Sequence, residues 1–93
     1  MRKCLFAAAF LLATLPLLAD ATATNDLNKL IADEWQWQLR DDPESATFIG
    51  ERGHADRLTD RSPAAYQRRR EHHRETLQKI EAIERSKLNV EDQ

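Results

Sequence analysis

The chain contains only three imidazole side chains, those of His54, His72 and His73. Neighbouring residues on a helix point about 100° apart, so His72 and His73 cannot chelate one ion as an i,i+4 pair does. We interpret His73 as a partly buried helix side chain and His72 as a solvated one. His54 lies in a glycine-rich loop near Asp56, where a hydrogen bond within the loop is the commoner role. We therefore predict no metal site in this chain.

Two tryptophans share a broad helical arc with a carboxylate. Trp35 and Trp37 lie toward opposite sides of the arc, and Glu34 lies near its middle. A carboxylate buried in such a place must have a polar partner. We favour an internal ion pair between Glu34 and an arginine, and a catalytic acid is the remote alternative. Tryptophans on a broad apolar arc usually pack against another element, so we expect the Trp35/Trp37 face to contact protein.

A cluster of basic residues, Arg68-Arg69-Arg70 with Arg74, has a spacing that can contact phosphate. Acidic residues interrupt the run and no aromatic residues are interleaved with it, so a solvated or subunit-facing helix surface is favoured. The chain has no G-x-S-x-G motif, no phosphate-binding glycine loop and no His followed by Glu. We predict no catalytic, cofactor-binding or metal-binding residue here, and no nucleic-acid partner.

The elements that carry these residues are predicted to be helices, which makes the chain all-α. The first helix, about 26–41, has Asn25 or Asp26 as its N-cap and ends before Pro43, which disfavours helical geometry at the preceding residue. Its apolar positions at helical spacing are Leu27, Leu30, Ile31 and Trp35.

Two further helices are predicted from a cap residue followed by proline. Asp42-Pro43 begins a short helix, about 43–49, that ends at Gly50. Ser62-Pro63 begins the longest helix, about 63–86. The short helix is expected to place Ala46, Phe48 and Ile49 against the first helix, and the long one has the apolar stripe Tyr66, Leu77, Ile80 and Ile83.

The remaining segments are a loop and a short C-terminal stretch. Residues 50–61 have no periodicity, and we expect Leu58 to be the apolar anchor of this loop. From Leu88 the pattern is that of a linker and then a new helix with Asn89 as its cap. We therefore expect residues 22–93 to be the N-terminal segment of a larger helical domain, truncated at its C-terminus.

The apolar residues are distributed unevenly along the 93 residues, of which 41% are hydrophobic. Residues 1–21 hold 16 of them: a basic start is followed by an apolar run from Leu5 to Leu18 and then by Ala19-Asp20-Ala21. This pattern predicts a signal peptide, residues 1–21, and an exported protein in the periplasm or outside the cell, with no stable membrane insertion after cleavage.

Processing at this site would leave a polar, mildly acidic chain. Residues 22–93 hold 22 hydrophobic residues, of which 15 are larger than alanine, and 12 basic and 15 acidic residues give a net charge of −3. That charge disfavours nucleic acid and anionic membranes as partners. So few apolar residues cannot build a sizeable independent core, and the only cysteine, Cys4, precedes the predicted cleavage site.

Two motifs resemble the N-terminal part of a bacterial family catalogued as domain of unknown function 885. The segment 43–50, Pro-Glu-Ser-Ala-Thr-Phe-Ile-Gly, matches the pattern Pro-x-x-Ala-Thr-x-x-Gly, and the segment 58–62, Leu-Thr-Asp-Arg-Ser, matches Leu-x-Asp-x-Ser. The resemblance covers about residues 26–93. Members are much longer, mostly helical and often exported, and are similar to zinc-dependent metallopeptidases.

The resemblance implies a structural role for this segment. The metal-binding box of the family, a His-Glu pair followed by Pro-Gly-His, lies far downstream and is not in this sequence. Zinc is thus implied for full-length members and no cofactor for this chain, which we predict to be inactive alone. Its partner would be the missing C-terminal body of the same protein. The alternative is a small stand-alone periplasmic helical module that binds a protein through the Trp35/Trp37 face.

Overall fold

The computed structural model describes residues 21–93, which form three α-helices and one short 3-10 helix. Helix α1 spans Ala21–Asp41, α2 spans Pro43–Phe48 and α3 spans Pro63–Glu81; the 3-10 turn is Arg85–Lys87. This described part contains no strand, so the all-α prediction is confirmed. The predicted signal peptide lies, except for Ala21, outside the described residues.

Helix α1 begins earlier than the sequence pattern indicated. Ala21 is already helical, and Asn25 and Asp26 lie inside the helix, so neither is its N-cap. Alanine and threonine at positions 21–24 permit helical geometry, and Ala23 is buried. None of the helices within residues 21–93 is long and apolar enough to cross a lipid bilayer.

Both cap-and-proline predictions are confirmed. The Asp42 carboxylate accepts hydrogen bonds from the backbone N–H of Ser45 at 3.1 Å and from its hydroxyl at 2.6 Å. Hydrogen bonds from Ser45, and then from Thr59, lower the pKa of Asp42 from 3.8 to about 2. At the start of α3, the Ser62 hydroxyl accepts the N–H of Ala65 at 3.2 Å. Each cap binds a backbone donor that the first turn of a helix leaves without a partner.

Helix α2 ends at Phe48, one residue before the predicted end, and Gly50 follows as the predicted stop. Gly50 has φ +87°, and the Glu51 N–H donates to the carbonyl of Ala46 at 2.9 Å, which closes the helix end. Ala46 is buried, in agreement with the prediction. The predicted burial of Phe48 and Ile49 is wrong, because Phe48 is 91% exposed and Ile49 is also exposed. The buried residues of the short helix are Pro43 and Ala46.

The loop 50–61 is held by polar contacts, and Leu58 is not its anchor. Leu58 is exposed, whereas the adjacent Thr59 is half-buried. The Thr59 hydroxyl donates to the Asp42 carboxylate, and its N–H donates to the Glu44 carboxylate at 3.1 Å. Hydrogen bonds from the backbone N–H of Thr59, and then from its side chain, lower the pKa of Glu44. The carboxylates at the start of α2 therefore fasten the end of the loop.

Helix α3 ends at Glu81, earlier than the predicted residue 86. The Ile83 N–H donates to the Ile80 carbonyl, which tightens the last turn, and Glu84 then adopts an extended conformation. After this bend, Leu88 is buried. Beyond it, the Asn89 side chain accepts the N–H of Asp92 at 2.8 Å, in the manner of a helix cap, but residues 90–92 form turns and not the predicted helix.

Candidate functional site

One face of α3 packs against α1, and its residues recur at helical spacing. Ala65 is almost fully buried, and Arg69, His72 and Thr76 each bond a side chain of α1. The separations of four, three and four residues place these four side chains on one stripe. We call this contact between α1 and α3 the seam.

Glu34 lies in the middle of the seam and has two partners from α3. Its Oε2 atom lies 2.6 Å from His72 Nε2 and accepts a hydrogen bond from the Thr76 hydroxyl at 3.2 Å. The side chains of Glu34 and His72 are only 23% and 22% exposed. Partial burial of this kind requires a polar partner for a carboxylate, and the seam provides it.

The imidazole of His72 is also stacked on Trp37. The two ring centroids are 3.6 Å apart and the rings are 5° from parallel, and the edge of His73 approaches Trp37 at 5.8 Å. A ring held on one side by an indole and at its Nε2 atom by a carboxylate has little rotational freedom. His72 therefore links the two helices by packing and by hydrogen bonding.

These positions correct three sequence predictions. His72 is half-buried and His73 is exposed, which reverses the predicted roles of the two histidines. Glu34 has a polar partner across the seam, but that partner is His72 and not the predicted arginine. The reason is the rotation of α3 about its own axis. The predicted apolar stripe lies beside the seam, and the polar residues of the adjacent stripe face α1.

The geometry of Glu34, His72 and Thr76 does not form a nucleophilic triad. In such a triad, one ring nitrogen of the histidine faces the carboxylate and the other faces the hydroxyl. Here the same nitrogen, Nε2, lies 2.6 Å from Glu34 and 3.3 Å from the Thr76 hydroxyl. The hydroxyl therefore has no separate base that would accept its proton, and the cluster is an interhelical clasp.

A second polar link joins the end of α1 to the start of α3. Arg69 Nε donates to the Asp41 carboxylate at 2.6 Å, with side chains that are 16% and 25% exposed. The guanidinium also donates to the carbonyl of Asp60 and lies over the Tyr66 ring, 5.4 Å from its centroid. The hydrogen bond with Asp41 raises the pKa of Arg69. Arg69 thereby fixes the loop and both helices at one point.

The other arginines of the basic cluster have partners within the chain. Arg68 pairs with Asp60 at 3.2 Å and Arg74 with Glu71 at 2.7 Å, whereas Arg70 hydrogen-bonds the amide oxygen of Gln67. Hydrogen bonds from Ser62, and then from Arg68, lower the pKa of Asp60. These contacts agree with the interpretation of the cluster as a helix surface.

Two hollows lie on opposite sides of the seam. The larger, of about 490 Å³, is bordered by side chains of both helices, half of which are charged, among them Asp33, Arg40 and Lys79. The smaller, of about 280 Å³, is bordered by Leu27, Ile31 and Trp35 of α1 and by Ile80 of α3, together with residues of the seam. One side of the helical pair therefore carries many charged side chains, and the other side is mostly apolar.

The apolar side continues along α3 and is uncovered. We define the apolar face as Leu27, Ile31 and Trp35 of α1 and Tyr66, Leu77 and Ile80 of α3. Ile31 is 59% exposed, and Trp35, Tyr66, Leu77 and Ile80 are between 43% and 54% exposed. Trp37, by contrast, is half-buried at the seam and stacked on His72, although both tryptophans border a hollow between α1 and α2. Trp35 is thus the tryptophan that is available to a partner.

The remaining histidine, His54, makes a loop hydrogen bond, as its position suggested. Its Nδ1 atom lies 3.0 Å from Arg57 Nη2, and Asp56 is not its partner. Within residues 21–93, no group of three or more His, Cys, Asp or Glu side chains is arranged to hold a metal ion. The described residues therefore do not fit the zinc that the resemblance implies for full-length members.

Several residues of the seam were not identified from the sequence. Thr76, Arg69 and Asp41 were not singled out as interhelical contacts, and Thr59 was assigned only to the loop. A helical wheel centred on Ala65 and Arg69 would have placed Thr76 on the same stripe, because their separations are multiples of a turn. The distant pairings with α1 are not encoded in any local pattern.

The fold and the site define an open α-helical pair with a polar clasp and an uncovered apolar face. Comparison of the chain with protein-family models, with curated proteins and with solved structures found no match. The geometry of residues 21–93 is therefore the basis on which a function is proposed.

Proposed function

We propose that residues 21–93 form a non-catalytic protein-docking segment at the N-terminus of an exported protein that resembles the zinc-dependent metallopeptidases described above. The observation that carries this proposal is the apolar face. Its large side chains are about half exposed, whereas the buried hydrophobic residues of the described part are three alanines and two leucines. Leu27, Ile31, Trp35 and Ile80 border one hollow, and contiguous apolar surface of this kind marks a site of protein contact.

The energy available on this face is large relative to the stability of a small domain. Full burial of one large apolar side chain contributes about 1.5–3 kcal/mol, so covering the exposed half contributes roughly 1 kcal/mol. Ile31, Trp35, Tyr66, Leu77 and Ile80 together would contribute about 5 kcal/mol. The free energy of unfolding of a domain is about 5–15 kcal/mol, so burial of this face against a partner would be a large part of the stability of the segment.

The polar clasp supports a positioning role for the segment. Hydrogen bonds across the seam join Glu34 to His72 and Thr76, and another joins Arg69 to Asp41. Groups that are paired in this way orient two helices but leave no base or nucleophile for a substrate. The segment would hold its apolar face in place, and any catalysis would belong to the body of the larger protein.

The coding sequence beyond Gln93 tests the family part of this proposal. We expect the His-Glu-x-x-Pro-Gly-His box downstream, in frame or after a frameshift. A stop codon with no such box further on would remove the link to metallopeptidases. Fractionation of cells tests export, because a protein retained in the cytoplasm with residues 1–21 intact would contradict it.

The second candidate function is a stand-alone periplasmic helical interaction module. It is favoured by the clasp and the Arg69 link, which join α1 and α3 without any other segment. Circular dichroism of residues 22–93 distinguishes the two candidates. A cooperative thermal transition that is independent of concentration would support the module, whereas weak helicity without a transition would support a segment of a larger body.

A charge placed on the apolar face tests docking itself. Ile31→Glu should lower the binding of a fluorescent hydrophobic dye to the monomer, because it interrupts the contiguous apolar surface. The matched control is Ala32→Glu, which makes the same charge change at the adjacent exposed position of α1. Equal dye binding by the two variants would contradict the assignment of this face.

A further inference from the structure

The rim of the apolar face carries two charges that have no ion-pair partner within residues 21–93. Arg70 lies one turn after Tyr66, borders the same surface hollow, and hydrogen-bonds only the uncharged Gln67. Glu81 lies one turn after Leu77 and takes part in none of the ion pairs of residues 21–93. Both side chains are exposed. A partner that covers the face would therefore meet one positive and one negative charge.

The spacing of these two charges is self-complementary. Arg70 and Glu81 are eleven residues apart on α3, which corresponds to about 16 Å and to three turns within roughly 20°. A two-fold axis perpendicular to α3, between residues 75 and 76, would place a second α3 antiparallel to the first. Each Arg70 would then face Glu81 of the other copy, because residue i meets j and j meets i in such an interface.

The same axis passes close to Leu77 of the apolar face. Leu77 lies about 2 Å along the helix from the centre of the pairing, so the two copies of Leu77 become neighbours. Along α1, the residues that flank the face are Thr24, Asn28 and Gln38, none of which is charged. Antiparallel pairing of the two α1 helices therefore introduces no like charges beside Ile31 and Trp35.

We propose that the apolar face is occupied by a second copy of this chain, in an antiparallel face-to-face dimer in which Arg70 of each copy pairs with Glu81 of the other. This inference rests on the proposed function, since it names the partner of the docking face. Two α-helical pairs joined in this way form a four-helix arrangement, in which the apolar faces of both copies become one core.

A charge swap tests the pairing. The full chain, purified in the form in which cells accumulate it, is studied by sedimentation equilibrium as wild type, Arg70→Glu, Glu81→Arg and the double swap. Each single variant places two pairs of like charges in the dimer and should raise the dimer Kd by roughly tenfold or more. The double swap restores both ion pairs and should return the Kd to within about threefold of wild type.

Lys79→Glu is the matched control. Lys79 is exposed on α3, has no ion pair within residues 21–93 and borders the charged hollow on the other side of the seam. Its substitution makes the same charge change as Arg70→Glu and should leave the Kd unchanged. Circular dichroism of all variants verifies that helix content is retained, and the double swap keeps the test decisive if a single variant is poorly folded.

Dye binding separates failure of this inference from failure of the docking function. A wild-type dimer that does not bind a hydrophobic dye, with the swap pattern above, supports both. A wild-type monomer that binds the dye overturns the second copy as the occupant but agrees with a docking face. A monomer that does not bind the dye overturns both proposals, and a dimer without rescue by the double swap overturns the pairing of Arg70 with Glu81.

Discussion

The contact between Glu34 and His72 should be worth more than any exposed ion pair of this chain. Its atoms are 2.6 Å apart and its side chains are about one-fifth exposed. Hydrogen bonds to charged groups contribute about 1.5–3 kcal/mol when they are shielded from water, and exposed pairs contribute about 0.2–1 kcal/mol. The clasp lies between these limits, so we expect a coupling energy of about 1–1.5 kcal/mol.

A double-mutant cycle measures this coupling directly. Glu34→Gln keeps the shape of the side chain without its charge, and His72→Phe keeps a ring that can stack on Trp37. Glu34→Gln replaces the charged acceptor of the seam by a neutral amide, and His72→Phe leaves the Glu34 carboxylate with only the Thr76 hydroxyl as its partner. Each single variant should therefore lower the free energy of unfolding by about 1–2 kcal/mol. The double variant should be destabilised by less than the sum of the two single variants, and the difference is the coupling energy.

Urea unfolding of the full chain, followed by circular dichroism, gives the four free energies. The control cycle uses Glu71 and Arg74, which lie one turn apart and have side chains that are 51% and 64% exposed. That pair should couple by no more than about 0.5 kcal/mol. If the Glu34 and His72 cycle gave no more coupling than the control, or if Glu34→Gln stabilised the chain, the clasp would not hold the helices together.

Three further predictions concern local features. Asp42→Ala should destabilise the chain by about 1 kcal/mol through loss of the α2 cap, measured by urea unfolding. Because the pKa of Asp42 is lowered to about 2, its contribution to the free energy of unfolding should be fully present above pH 4 and lost as the pH falls toward 2. An equal difference in that free energy between Asp42→Ala and wild type at pH 2 and at pH 5 would contradict this. Gly50→Ala should cost about 1–2 kcal/mol, because φ is +87°, and an unchanged thermal midpoint would show that the turn relaxes. Ala65→Leu should cost about 1–3 kcal/mol by overpacking the seam, whereas Ala64→Leu, at an exposed site, should be nearly neutral; equal effects would contradict burial of Ala65.

The local parts of the fold were predictable from the sequence, and the pairings over distance were not. Asp42-Pro43 and Ser62-Pro63 signal helix starts because the cap bonds and the proline geometry involve residues within one turn. The partner of Glu34 is 38 residues away, and its identity depends on the rotation of α3 about its axis. The apolar stripe of α3 was recognisable from the sequence, but the polar stripe beside it is the one that faces α1.

Leu58 and Phe48 illustrate the same limit. Both are large apolar residues at places where burial was expected, and both are exposed on the described part of the chain. Burial requires a surface to pack against, and only α1 and α3 provide one here. The polar Thr59 anchors the loop because two carboxylates at the start of α2 lie within reach of its N–H and hydroxyl.

The fastening of Thr59 to the start of α2 also affects how the helical pair forms. Asp41 and Arg69 are 28 residues apart along the chain, and bringing them together closes a loop of that length. Once Thr59 is bound to Asp42, 17 residues earlier, the chain that remains to be ordered between Asp41 and Arg69 is only about 12 residues. Loop-closure entropy grows by about 0.6 kcal/mol for each doubling of length, so the shortcut lowers this cost by roughly 0.7 kcal/mol. The hydrogen bond between Thr59 and Asp42 thus makes it easier for the end of α1 and the start of α3 to come together.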